Sequence, residues 1–74
     1  MPQVPLLKPK DVIRVFKKFG WLVARRPSGS HIILTKEDSI STLSVPNHSE
    51  VARGTLRSLI DKSGLTIEEF IEEL

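Results

Sequence analysis

Between Gly20 and Pro46 the chain breaks into short apolar runs separated by turn residues, and this punctuation limits the fold more than any other feature. "WLVARR" is too short for a helix, Pro27-Ser28-Gly29-Ser30 is turn chemistry, and "HIILTK" follows it, which together read as a β-hairpin. "EDS" supplies a second turn. The next run, "ISTLSVP", alternates Leu43 and Val45 with Thr42 and Ser44 until Pro46 ends the pairing. Three consecutive short strands make an antiparallel meander, and such a sheet needs apolar elements to cover one of its faces.

The flanking segments supply that cover. "KPKDVIRVFKKFG" sets Val12, Ile13, Phe16 and Phe19 on one helical stripe, with Pro9 suited to the first turn and Gly20 to the stop, so a helix is expected over 9–19. Its outer face holds Lys10, Arg14, Lys17 and Lys18. "RGTLRSLIDKSG" groups Leu56, Leu59 and Ile60, and Gly64 fits a left-handed C-terminal cap. "TIEEFIEEL" opens with Thr66 and Glu69 in capping-box spacing and turns Ile67, Phe70, Ile71 and Leu74 to one side. The expected fold is α+β: a three-stranded antiparallel sheet with helices packed on one face, in the order α-β-β-β-α plus a short C-terminal helix. Residues 1–74 are read as a single domain.

Alternation decides which sheet face is covered. Ile32 and Leu34 point one way in the second strand while His31, Ile33 and Thr35 point the other, and Leu43 and Val45 oppose Thr42 and Ser44 in the third. If the helices cover Ile32, Leu34, Leu43 and Val45, His31 stands on the uncovered face. Trp21, at the start of the first strand, is read as core rather than as a base-stacking platform.

Size and composition bound the chemistry. A chain of 74 residues buries roughly 60% of its unfolded surface and has no room for a fully walled cavity, so its partner should be large or extended. There is no cysteine, hence neither a disulfide nor a thiolate metal site, and no stretch reads as a membrane span or signal peptide. A soluble cytoplasmic protein is expected, with no small-molecule cofactor and no membrane partner.

Charge is divided unevenly along the chain. Residues 1–36 carry eight Lys/Arg against Asp11 alone, whereas residues 37–74 carry three against eight acids. A basic half of this kind suits a polyanion such as nucleic acid. The acidic group Glu68, Glu69, Glu72 and Glu73 is read as solvated helix surface, and no metal site is expected.

Two histidines, His31 and His48, and several arginines fit one reaction type. RNA carries its own nucleophile: the 2′-hydroxyl must lose a proton, the phosphoryl oxygens must be stabilised, and the departing 5′-oxygen must gain a proton. Imidazole, with an unperturbed pKa of about 6.5, serves the first or third task. Arg25, Arg26, Arg53 or Arg57 serves the second. In "RGTLRSL", the free N–H groups at the helix start and the guanidinium groups of Arg53 and Arg57 are placed to converge on a phosphate.

Taken together, "GSHIIL", "SVPNH" and "RGTLRSLIDKSGLTIEEFIEEL", preceded by "DVIRVFKKFGW", resemble the HicA family of mRNA interferase toxins, and the likeness runs over nearly the whole chain from about Lys8. The resemblance implies a double-stranded-RNA-binding-like fold, metal-independent cleavage of mRNA, an essential histidine in the Gly-Ser-His stretch, and inhibition by a HicB antitoxin. It places His31 on the catalytic position, with Gly29 allowing the tight turn and Ser30 helping to set the approach of the RNA backbone. His48 falls on the histidine after the Val-Pro pair and is the second catalytic candidate. Ile32 stands where many members carry a second histidine or a polar residue. The RNA-contact candidates are therefore Arg26, Gly29, Ser30, Arg53 and Arg57.

Two other readings fit the same residues. One is a non-catalytic RNA-binding module of the same fold, and the other a protein-interaction domain that only docks a partner on its open sheet face. Salt-sensitive RNA binding separates the last from the first two.

Overall fold

The computed structural model describes residues 4–25 and 30–74, with Arg25 described by its backbone alone. The elements are α1 (Pro9–Lys18), β1 (Leu22–Arg25), β2 (His31–Thr35), β3 (Leu43–Pro46), α2 (Arg53–Ser63) and α3 (Ile67–Glu72). Order and class are as the sequence predicts.

The turn from α1 into the sheet shows how local chemistry sets the core. Gly20 adopts φ +98°, a conformation that glycine reaches without a Cβ clash. This lets the Gly20 N–H donate to the Lys17 carbonyl at 3.1 Å and the Trp21 N–H to the Phe16 carbonyl at 3.1 Å. The pair of bonds is a Schellman motif, and the accompanying apolar contact is the edge-on meeting of Trp21 with Phe16, ring centroids 6.5 Å apart. The helix thus ends at Lys18, one residue short of expectation, and Trp21 is delivered to the core at 1% exposure before β1 begins.

The sheet order is β1-β2-β3, antiparallel throughout. Ile32 pairs with Val45 and Leu34 with Leu43, and all four side chains are buried. His31 pairs with Pro46 and Ile33 with Ser44 on the opposite face. In β1 the register slips between Val23 and Arg25, a bulge that puts Arg25 opposite Ile33. β3 starts at Leu43 rather than Ile40. The reason is local: the Ser39 N–H donates to the Lys36 carbonyl at 3.0 Å, and the Ser39 hydroxyl accepts the Ser41 N–H at 3.2 Å, so a side-chain turn displaces the ladder and leaves Ile40 fully in solvent.

The core lies between the sheet and the helices. Val12, Val15 and Phe16 of α1 and Leu56, Leu59 and Ile60 of α2 meet the inner sheet face. α3 closes the far side through Phe70, whose ring centroid is 5.1 Å from that of Phe16. Its start is held by the full capping box, the Glu69 N–H donating to Thr66 Oγ1 at 3.1 Å and the Thr66 N–H to Glu69 Oε1 at 2.8 Å. Gly64, at φ +84°, caps α2 as expected.

Candidate nucleic-acid interface

His31 is the first residue of β2, and the backbone around it is tied to the end of β3. The Asn47 N–H donates to the Ser30 carbonyl at 2.9 Å, extending the ladder one step beyond the His31–Pro46 pair. Strand alternation then sends Ile32 inward to 3% exposure and leaves His31 exposed on the face without helices. Ser30 Oγ lies 3.4 Å from His31 Nδ1, a long contact, and Nε2 has no partner among the described residues.

His48 reaches the same end of the sheet by a different route. Its loop is pinned at one side by the Asn47–Ser30 bond and at the other by Val51, whose N–H donates to the Leu7 carbonyl at 2.8 Å in an isolated antiparallel bridge. Val51 is buried while His48, Ser49 and Glu50 are exposed between the two anchors. The structure therefore brings both histidines to one sheet end, each on the surface.

The arginines divide among different neighbours. Arg53, first residue of α2, donates from Nε to the Val4 carbonyl at 3.1 Å and so holds the N-terminal segment over the helix start. Arg57 is exposed and lines a groove of about 540 Å³ between α2 and α3, together with Gly54, Ser58, Asp61 and Thr66. The expected convergence of Arg53 and Arg57 on one phosphate is not prearranged by any contact between them. Arg26 and Gly29, with the turn they belong to, lie outside the described residues.

A second groove, of about 370 Å³, was not foreseen as part of the site. It runs between α1 and the sheet and is lined by Lys10, Arg14 and Lys17 above Ile13, Val23 and Ile32, with Asn47 at its margin. The sequence signal was the spacing of the three basic residues along the helix, visible only as an outer face until β1, β2 and the loop after β3 are placed beneath it.

Two of the four acidic residues at this end of the chain have structural work: Glu69 completes the α3 cap, and at Glu73, just past the helix, the Lys18 ammonium donates to the carbonyl at 3.0 Å and pairs with the carboxylate at 3.7 Å. Among the described residues no group of three or more His, Cys, Asp or Glu could hold a metal ion.

A family model for the HicA toxin of bacterial toxin-antitoxin systems matches residues 9–65, from the first residue of α1 to just past α2. The chain belongs to the HicA toxin family. No curated protein matches it. Membership makes this HicA-family chain the toxin of a toxin-antitoxin pair and implies a cognate antitoxin. The match takes in His31, His48, Arg53 and Arg57, and stops before α3. No helix among the described residues is long and apolar enough to cross a membrane.

Proposed function

We propose that this HicA-family chain is an endoribonuclease that cleaves mRNA without a metal ion, His31 acting as the principal acid or base. The reading is supported chiefly by the placement of His31: an exposed imidazole at the start of a strand, its backbone paired with Pro46 of β3 and followed outward by the Asn47–Ser30 bond, with the Ser30 hydroxyl 3.4 Å from Nδ1. A proton carrier fixed on rigid backbone and open to an extended substrate is what the reaction needs. One imidazole takes the proton of the 2′-hydroxyl, and the 2′-oxygen attacks the adjacent phosphorus. The bond from phosphorus to the 5′-oxygen breaks, and that oxygen takes a proton from an acid. The products are a 2′,3′-cyclic phosphate and a 5′-hydroxyl end.

His48, at the same sheet end, is the candidate for the second proton transfer. Arg53 and Arg57, with Ser30, Gly29 and Arg26, contribute RNA contacts. A HicB-like antitoxin silences the enzyme in the cytoplasm by covering the open sheet face.

The test is cleavage of a synthetic RNA by the full chain in the presence of EDTA, with analysis of both new ends. A cyclic phosphate and a 5′-hydroxyl formed at an undiminished rate are expected. Loss of activity with EDTA, or products bearing a 5′-phosphate, would overturn the mechanism. RNA bound but never cut would leave a non-catalytic RNA-binding module.

A further inference from the structure

We propose that the groove between α1 and the sheet is a track for single-stranded RNA, taking phosphates on Lys10, Arg14 and Lys17 and one base on the apolar floor of Ile13, Val23 and Ile32. The proposal rests on the ribonuclease reading and deepens it by naming how the substrate strand is held and in what form.

Three observations carry it. The first is free positive charge. Lys10 and Lys17 have no hydrogen bond or ion pair among the described residues, and Arg14 meets only Asp11, at 3.7 Å and largely in solvent, a pairing that water screens. Lys18, on the same helix, is by contrast engaged with Glu73. From Lys10 to Lys17 the helix advances about 10 Å, so the three cations form a row rather than a cluster.

The second is the shape of the groove. At about 370 Å³ it is within the range of small-ligand pockets, which begin near about 300 Å³. Cations on the rim and aliphatic side chains on the floor suit a splayed nucleotide, whose base covers the accessible apolar surface of Ile13 and Val23 over the buried Ile32 while its phosphates stay in water against the rim. A duplex presents only its outer backbone and leaves the floor unused.

The third is direction. α1 begins next to Leu7, which is bridged to Val51, and ends at Gly20, leading into β1, so it runs opposite to β1. Lys10 is therefore at the end where Asn47 bonds Ser30, and Lys17 at the other. A strand lying along the groove leaves it past Asn47 at the sheet end that carries His31 and His48, and Ile32 of the floor directly follows His31 in sequence.

The experiment measures binding of a short labelled single-stranded RNA to the full chain carrying His31→Ala, which prevents cleavage, as a function of salt. Adding Lys10→Ala, Arg14→Ala and Lys17→Ala together should weaken binding at low salt by at least about tenfold and reduce the salt slope by about 2, three contacts at about 0.7 each. Lys62→Ala, at the exposed end of α2, should change neither. A duplex of the same sequence should compete more weakly than the single strand. If the triple variant does not fold, Lys17→Ala alone should reduce the slope by about 0.7.

Unchanged affinity and slope in these variants would overturn the track. Equal competition by the duplex would overturn its single-strand character, and loss of antitoxin binding with RNA binding intact would make the groove a protein-docking surface instead. The two proposals fail separately: RNA held through the groove but never cut by the native chain sinks the ribonuclease reading alone, and RNA cut by a triple variant whose affinity and salt slope match the native chain sinks the track alone.

Discussion

His31 and Ile32 are consecutive residues of β2 with opposite surroundings: the imidazole stands exposed on the open sheet face, and the isoleucine is 3% exposed beneath the helices. One peptide unit thus joins the surface offered to RNA to the hydrophobic core. The register that exposes His31 is held by the burial of Ile32 and Leu34 against Val45 and Leu43, because a slip of one residue would exchange the two faces.

The energetic asymmetry of this pair is measurable. Ile32→Ala is expected to lower unfolding stability by about 2–5 kcal/mol, the range for truncating a buried aliphatic side chain. His31→Ala should change it by no more than about 0.5 kcal/mol, as for an exposed position. Urea unfolding of the two variants checks both figures, and a large loss in His31→Ala would mean that the imidazole is structural.

The helix beyond the family match contributes to the same core. Phe70→Ala removes the partner of Phe16 and should lose about 3–5 kcal/mol, a large share of the 5–15 kcal/mol or so available to a small domain. Thr66→Ala breaks the capping box and should lose about 1 kcal/mol. Denaturant midpoints in the order wild type, Thr66→Ala, Phe70→Ala are expected, and a chain ending at Leu65 should not fold cooperatively. A well-folded shortened chain would show that α3 is dispensable.

Most of the architecture was legible because it rests on short-range rules. Period-two alternation placed Ile32, Leu34, Leu43 and Val45 together, glycine marked both helix stops, and Thr66 with Glu69 announced the third helix. β3 begins later than alternation alone implies, because the hydroxyl of Ser39 captures the backbone that would otherwise extend the strand. Val15 falls beside the stripe through Val12 and Phe16 that satisfies the helical period, yet it is wholly buried, because α1 is covered over a wider arc than one stripe. In the site, His31 and His48 could be named from sequence, but the α1 groove could not. Its walls come from α1, β1, β2 and the loop after β3, and no pattern within one segment reports how four segments meet.

The open sheet face offers the antitoxin an apolar foothold beside the catalytic candidate. Leu22, opposite Thr35 on this face, is 63% exposed, and Ile33 lies between it and His31. The antitoxin is expected to cover this face with an interface above about 1,000 Å² in total. Leu22→Asp should therefore weaken antitoxin binding by at least about tenfold, near the 1 kcal/mol or more typical of a significant interface position, while RNA cleavage is retained. Calorimetric titration with the antitoxin checks this. An unchanged affinity would place the interface elsewhere.

The central claim is that the His31 imidazole transfers a proton during RNA cleavage. Single-turnover cleavage of a synthetic RNA, at protein concentrations that saturate binding, isolates that step from affinity. His31→Ala should slow it by roughly 10²- to 10⁴-fold, the span usual for one acid or base, with folding and RNA affinity nearly unchanged. A folded His31→Ala chain that cleaves at the native rate would contradict the account.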